Sequence, residues 1–137
     1  IKAAVEALPR THVTGVTILT SLSEDDVVQI GFKANALNSA VGLAKLAVSA
    51  GAGAIVCSPL EIAAIRAAVG TTPIIITPGV RPADSSSADD QVRTMTPKAA
   101  IEIGANFVVI GRPITQQWSL GAMAMRDRAA EIAAELI

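Results

Sequence analysis

A chain of 137 residues is the size of one ordinary domain and can bury a sizeable core. It is 51% apolar but only 2% aromatic, so that core is built from Ala, Val, Ile and Leu, as it is where helices pack on a parallel sheet. A net charge of −1 with no basic run argues against nucleic acid or an anionic membrane as partner. The single Cys57 and single His12 exclude a disulfide framework and argue against a metal site. No apolar stretch reaches the roughly 18 residues of a membrane span and no signal peptide is visible, which makes the cytoplasm the expected compartment.

Four strand-then-helix units follow one another. The opening IKAAVEAL reads as the middle or end of an amphipathic helix without an N-cap, as though the chain had been cut there. Val13 to Thr20 is strand-like, and Ser23-Glu24-Asp25-Asp26 gives a cap and an acidic first turn to a short helix. A second helix, from about Asn38 to Ser49, ends at Gly51. Ala54 to Cys57 is a short buried strand. Ser58-Pro59-Leu60-Glu61 then offers a capping box with Pro at the first helical position, and that helix runs to Val69 and stops at Gly70. Pro73 to Thr77 is the third strand. Thr96-Pro97 opens a helix that Gly104 closes, Phe107 to Ile110 is the fourth strand, whose apolar run reads as buried on both faces, and an Ala-rich helix runs from about Leu120 to the C-terminus.

Strict β/α alternation implies a parallel sheet with right-handed crossovers. A doubly wound sheet and a (β/α)8 barrel are both compatible with that pattern. No GxGxxG or GxxxxGK[ST] follows any strand, so dinucleotide and Walker-type sites lack local support. Four units amount to half a barrel, since a whole one takes about 250 residues. Half a barrel would expose two strand edges and an apolar cleft, and the chain is expected to associate with itself or with a second half.

In β/α proteins ligands bind beyond the carboxyl ends of the strands. There the fourth strand stops at Gly111-Arg112-Pro113: glycine lets a ligand approach the backbone, and arginine offers a planar fork of donors for phosphate. The alternative is an arginine that caps the rim through carbonyls or a carboxylate. Between the third strand and Pro97 lies a connection long enough for a lid, with Arg81, Gln91 and Arg93 as donors and Ser85-Ser86-Ser87 as a flexible tract. A solvated surface loop fits it equally well, and Asp89-Asp90 reads as a solvated pair. Thr20-Ser21 could bond a ligand or cap the next helix. Cys57 reads as a core residue, His12 falls at the opposite, structural rim, and Trp118 reads as a packing lid over the last helix. No lysine and no carboxylate ends a strand, so ligand-binding parts are present without evident proton-transfer machinery.

VTGVTILTSL, AIVCSPLE, IITPGVRP, DQVRTMTP and FVVIGRPIT occur in this order, and their spacing resembles the C-terminal half of the orotidine 5′-phosphate decarboxylase family across nearly the whole chain. The resemblance implies an α/β fold of the TIM-barrel type, (β/α)8, with residues 1–137 as the C-terminal half of one domain and these units as the fifth to eighth. It also implies conversion of orotidine 5′-phosphate to uridine 5′-phosphate (UMP) and CO2 in pyrimidine biosynthesis, with no metal or organic cofactor, by a homodimer. Position by position, Thr20 matches a rim residue that contacts substrate, and Arg81 matches the arginine of the PGxRP motif. Gln91 matches the lid glutamine that bridges pyrimidine and phosphate, and Gly111 and Arg112 match the phosphate-gripping pair.

One departure is large. The family's Asp-x-Lys-x-x-Asp signature is absent, and none of Lys2, Lys33, Lys45 and Lys98 has an Asp two residues before it. The resemblance therefore implies a binding half whose catalytic array, a Lys that protonates the carbanion and its flanking Asp residues, would come from a missing N-terminal half-barrel. Two other readings are a non-catalytic, self-associating phosphate-binding half-barrel and a related sugar-phosphate lyase. Gln91 in its long loop argues against the lyase.

Overall fold

The computed structural model describes residues 1–82 and 95–136. Helix α1 (Lys2–Ala7) leads to β1 (Thr14–Val16), then α2 (Glu24–Gln29) and α3 (Ala36–Ser49). Strand β2 (Ala54–Val56) is followed by a 3-10 turn over Pro59–Glu61 and α4 (Ile62–Val69). Strand β3 (Ile74–Thr77) precedes α5 (Pro97–Glu102), and β4 (Phe107–Val108) precedes α6 (Arg112–Thr115), a 3-10 turn over Gln116–Leu120, and α7 (Ala122–Ala134). The strands form one parallel sheet in the order β1-β2-β3-β4.

The local signals act where the sequence places them. Ser23 and Asp26 close a reciprocal capping box on α2, and these hydrogen bonds, the hydroxyl's first, hold the Asp26 carboxyl below its usual range. Ser58 and Glu61 do the same on the 3-10 turn, with Pro59 at the first position. Gly70 ends α4 at a φ of 78°, where a side chain would be strained. Asn35, not Asn38, caps α3, so that helix starts two residues earlier than its apolar pattern suggests.

The strands are shorter than their apolar runs. Val13–Thr20 contributes only Thr14–Val16 to the sheet, and Phe107–Ile110 only Phe107–Val108. Both are edge strands, paired on one side alone. Gly15, Ile55 and Ile75 share a row that faces the helices, and a Cβ at Gly15 would lie 2.6 Å from the Ala47 Cβ of α3. Gly15 is thus what lets α3 approach β1. The opposite row, Val16, Val56, Ile76 and Phe107, belongs to the other face, where Val16 and Phe107 are 58% and 59% exposed. Burial of the fourth strand on both faces, expected from its run of apolar residues, does not occur. Helices cover one face of the sheet, and the other is open at both edges.

The amino ends of β3 and β4 are fixed by one side chain. Arg66 Nε and Nη2 donate to the Gly104 carbonyl at 3.0 and 2.8 Å, and Nη1 donates to the Pro73 carbonyl at 2.7 Å. Nη2 also donates to Asn106 Oδ1 at 2.6 Å, and the same oxygen accepts from the Ile75 amide at 2.8 Å. Hydrogen bonds to a charged group are worth about 1.5–3 kcal/mol each, with partial compensation by water when one is lost. Arg66→Met, which keeps the aliphatic stem, is expected to lower stability by about 2–3 kcal/mol, read as a fall in the urea midpoint with an unchanged slope. A midpoint equal to wild type would show the network to be decorative.

Candidate functional site

Beyond the carboxyl ends of the strands the four loops bring polar groups to one rim. After β1, Thr20 is 7% exposed and Ser21 is exposed. Neither caps the next helix, because Ser23 does. After β3 the chain leaves through Pro78 and Gly79, whose φ of 75° makes the sharp exit that a β-carbon would oppose. Val80 bridges to Met95, the Arg81 amide donates to the Met95 carbonyl at 2.9 Å, and Arg81 Nη1 donates to the Val80 carbonyl at 2.8 Å. Val80 and Arg81 are therefore held beside Met95.

After β4, Gly111 forms the N-cap of α6 and Arg112 its first residue, with Pro113 buried behind them. The Gly111 carbonyl accepts from the Ile114 and Thr115 amides at 2.9 and 3.0 Å. A Cβ at Gly111 would meet nothing within 4 Å, and its φ of −103° is open to any residue. The chain's own packing therefore does not require glycine here, and the backbone faces open space that a ligand could enter. Arg112 is exposed at this edge. β3 and β4 are neighbours in the sheet, so Arg81 and Gly111–Arg112 emerge from adjacent strands, while Thr20 lies at the far edge of the same rim. Gln91, Arg93, Asp89-Asp90 and the Ser85-Ser86-Ser87 tract lie outside the described residues.

Beneath this rim is a buried polar layer of which the sequence announced only the Ser58–Glu61 capping box. The Thr77 hydroxyl donates to the Cys57 carbonyl at 2.6 Å, and Glu61 Oε2 accepts from the Ser58 amide at 3.1 Å. Thr77, Ser58 and Glu61 are each at most 1% exposed. Their signal was the capping-box spacing and a lone hydroxyl closing an isoleucine run. Trp118 is 66% exposed and does not act as the expected packing lid, since its 3-10 turn contributes no buried residue. His12 lies at the amino ends of the strands, beside Gly53, where a Cβ would come within 2.5 Å of its Nδ1. Among the described residues no cluster of His, Cys, Asp and Glu could hold a metal ion, and no helix is long and apolar enough to cross a membrane.

The sequence model of the orotidine 5′-phosphate decarboxylase / HUMPS family matches residues 1–124. The chain belongs to this family. It is 49% identical over 136 residues to the orotidine 5′-phosphate decarboxylase of Thermobifida fusca, covering 99% of this chain and 56% of that protein. It is 45% identical over 120 residues to that of Chromohalobacter salexigens, covering 85% and 50%. The crystal structure of orotidine 5′-phosphate decarboxylase from Lactobacillus acidophilus superposes with a TM-score of 0.69 at 33% identity, over 90% of this chain and 48% of that one. An uncharacterized conserved protein from Geobacillus kaustophilus superposes with a TM-score of 0.73 at 24% identity and bears on the fold alone. The chain spans about half the length of the relatives it matches. Its fold is accordingly four βα units of the family's (β/α)8 barrel.

Cys57 behaves as a core residue of this family member. Burial, reinforced by the nearby Glu61 carboxylate, pushes its thiol up to about 12, against weaker opposing effects of the Thr77 hydroxyl and Arg66. An unfolded thiol titrates near 9.0, so this shift contributes stability in full below that pH and loses it as pH rises toward 12. The folded chain should resist an aromatic disulfide reagent at about pH 8 and react stoichiometrically once unfolded in urea. Fast labelling of the folded chain would show that the thiol is accessible as thiolate.

Proposed function

We propose that residues 1–137 form the C-terminal, substrate-phosphate-binding half of a cytoplasmic, homodimeric orotidine 5′-phosphate decarboxylase, which releases CO2 and yields UMP. The observation that carries this reading is the Gly111–Arg112 turn: open space at the glycine, the exposed residue Arg112 beside it, and a position beyond a strand's carboxyl end. In barrels of this kind the phosphate commonly sits after the last two strands, and β3 and β4 are the last two here. The Gly111 backbone and the Arg112 fork would hold the phosphate, and Arg81 would approach from the adjacent loop.

Gln91 would bridge pyrimidine and phosphate. It stands four residues before Met95, which is held against Arg81, and four extended residues span at most roughly 14 Å. Thr20, across the rim, would contact the pyrimidine end. None of these groups transfers a proton to the reacting carbon. The Lys and Asp residues for that step have no counterpart between Ile1 and Ile137 and would come from an N-terminal half-barrel. Binding energy at a remote phosphate speeds a reaction only when it is coupled to groups at the reacting centre.

The test is complementation. The chain alone should not turn over orotidine 5′-phosphate, and mixing it with a separately produced N-terminal half of a relative should restore activity. In that assembly Arg112→Ala should lower kcat/KM at least about tenfold, since one charge-assisted hydrogen bond is worth roughly 1.5–3 kcal/mol. The loss should shrink for the substrate lacking its phosphate. An equal loss on both substrates would make Arg112 structural, and turnover by the chain alone would reveal an unrecognised general acid.

A further inference from the structure

We infer that Thr77 is a positioning residue for the phosphate site: its buried hydroxyl, bonded to β2, sets where Arg81 and Gly111–Arg112 leave the sheet. The inference rests on the phosphate reading of that site and adds a residue that acts through others without touching the ligand. Thr77 closes the run Ile74-Ile75-Ile76 and is fully buried, where a valine of the same shape would fill the space with no polar group to satisfy. Its hydroxyl donates to the Cys57 carbonyl at 2.6 Å, just past the last residue of β2. The nearest backbone bond between the two strands, from the Cys57 amide to the Ile76 carbonyl, is longer at 3.3 Å. On its other side the Thr77 carbonyl accepts from the Val109 amide at 2.9 Å, one residue beyond the end of β4.

Both arms of the site start from this residue. Arg81 follows Thr77 by four positions through Pro78 and Gly79, and Gly111 follows Val109 by two. Pro78 also restricts Thr77 to extended backbone, so the hydroxyl, the carbonyl and the exit direction are fixed together. Thr17 supplies the contrast on the far side of β2. Its hydroxyl donates to the Val56 carbonyl at 3.0 Å, and the Thr17 amide donates to the same oxygen at 3.0 Å. Removing the Thr17 hydroxyl therefore leaves that carbonyl bonded and β1 tied to β2. Removing the Thr77 hydroxyl takes away the link to β2 at the residue from which the phosphate arms diverge.

Titration of the chain with UMP, read from the Gly111 amide shift with far-UV circular dichroism as the check on folding, tests the inference. Thr77→Val should weaken UMP binding about fivefold or more, because a displaced guanidinium and backbone turn lose their alignment on the phosphate. Thr77→Ser, which keeps the hydroxyl, and Thr17→Val, which leaves its carbonyl bonded, should each stay within about twofold of wild type. Wild-type affinity in Thr77→Val, a loss in Thr77→Ser as large as in Thr77→Val, or an equal loss in Thr17→Val would each overturn the inference. Two further arms separate it from the reading beneath it. If wild type binds UMP no better than uridine and Arg112→Gln changes nothing, the phosphate reading falls and takes the inference with it. If Arg112→Gln weakens UMP binding and Thr77→Val does not, the inference falls alone. Should Thr77→Val fail to fold, amide exchange on the wild type decides: UMP should slow the Val109 amide more than the Thr17 amide, and equal slowing would overturn the inference.

Discussion

The Arg66 guanidinium holds the two strands on which the candidate site depends. It joins the Pro73 carbonyl before β3 to the Gly104 carbonyl and the Asn106 Oδ1 before β4, and that Oδ1 also accepts from the Ile75 amide. These bonds set where each strand starts, and a parallel pair that starts in register also ends in register. Arg81 and Gly111–Arg112 therefore leave the sheet side by side. With β4 contributing only Phe107–Val108 to the ladder, its own backbone pairing is too short to secure that alignment alone.

The chain divides its labour between the two ends of the sheet. At the amino ends lie contacts that fix geometry: the Arg66 network and His12 against Gly53. At the carboxyl ends lie turns whose composition the chain's own packing does not explain, above all Gly111 with open space beyond its α-carbon. Between them, Thr77, Ser58 and Glu61 form a buried, hydrogen-bonded layer around Cys57 that stiffens the base of the rim. This separation matches the general behaviour of (β/α)8 barrels, in which one face carries stability and the other chemistry.

Element type and order were legible because punctuation accompanied them: Ser23 with Asp26, Ser58-Pro59 with Glu61, Gly70, and Thr96-Pro97 all act locally, within one turn of chain. Strand length was not legible. Val13–Thr20 and Phe107–Ile110 are apolar beyond the ladder because hydrophobicity records what can be buried, whereas a strand extends only as far as a neighbour's backbone runs beside it. The Arg66 clamp was hidden for the same reason: Arg66 and Asn106 are 40 residues apart, and nothing local to either signals the other. The rim residues Thr20, Arg81, Gly111 and Arg112 were legible as strand-end positions. The phosphate role of Gly111 and Arg112 was legible from residue type and position, while the specific roles of Thr20 and Arg81 and the bridging role of Gln91, a lid donor by its place in the loop, came from the resemblance carried by the five family motifs.

The central claim is that the Gly111–Arg112 turn grips a phosphate. Titration of the isotopically labelled chain with UMP and, separately, with uridine, followed by amide chemical shifts, addresses it most directly. UMP should move the Gly111 and Arg112 amides in a saturable way, uridine should leave them in place, and Arg112→Gln should abolish the UMP response. Equal responses to UMP and uridine, or saturable UMP binding that leaves Gly111 and Arg112 unmoved, would contradict the account.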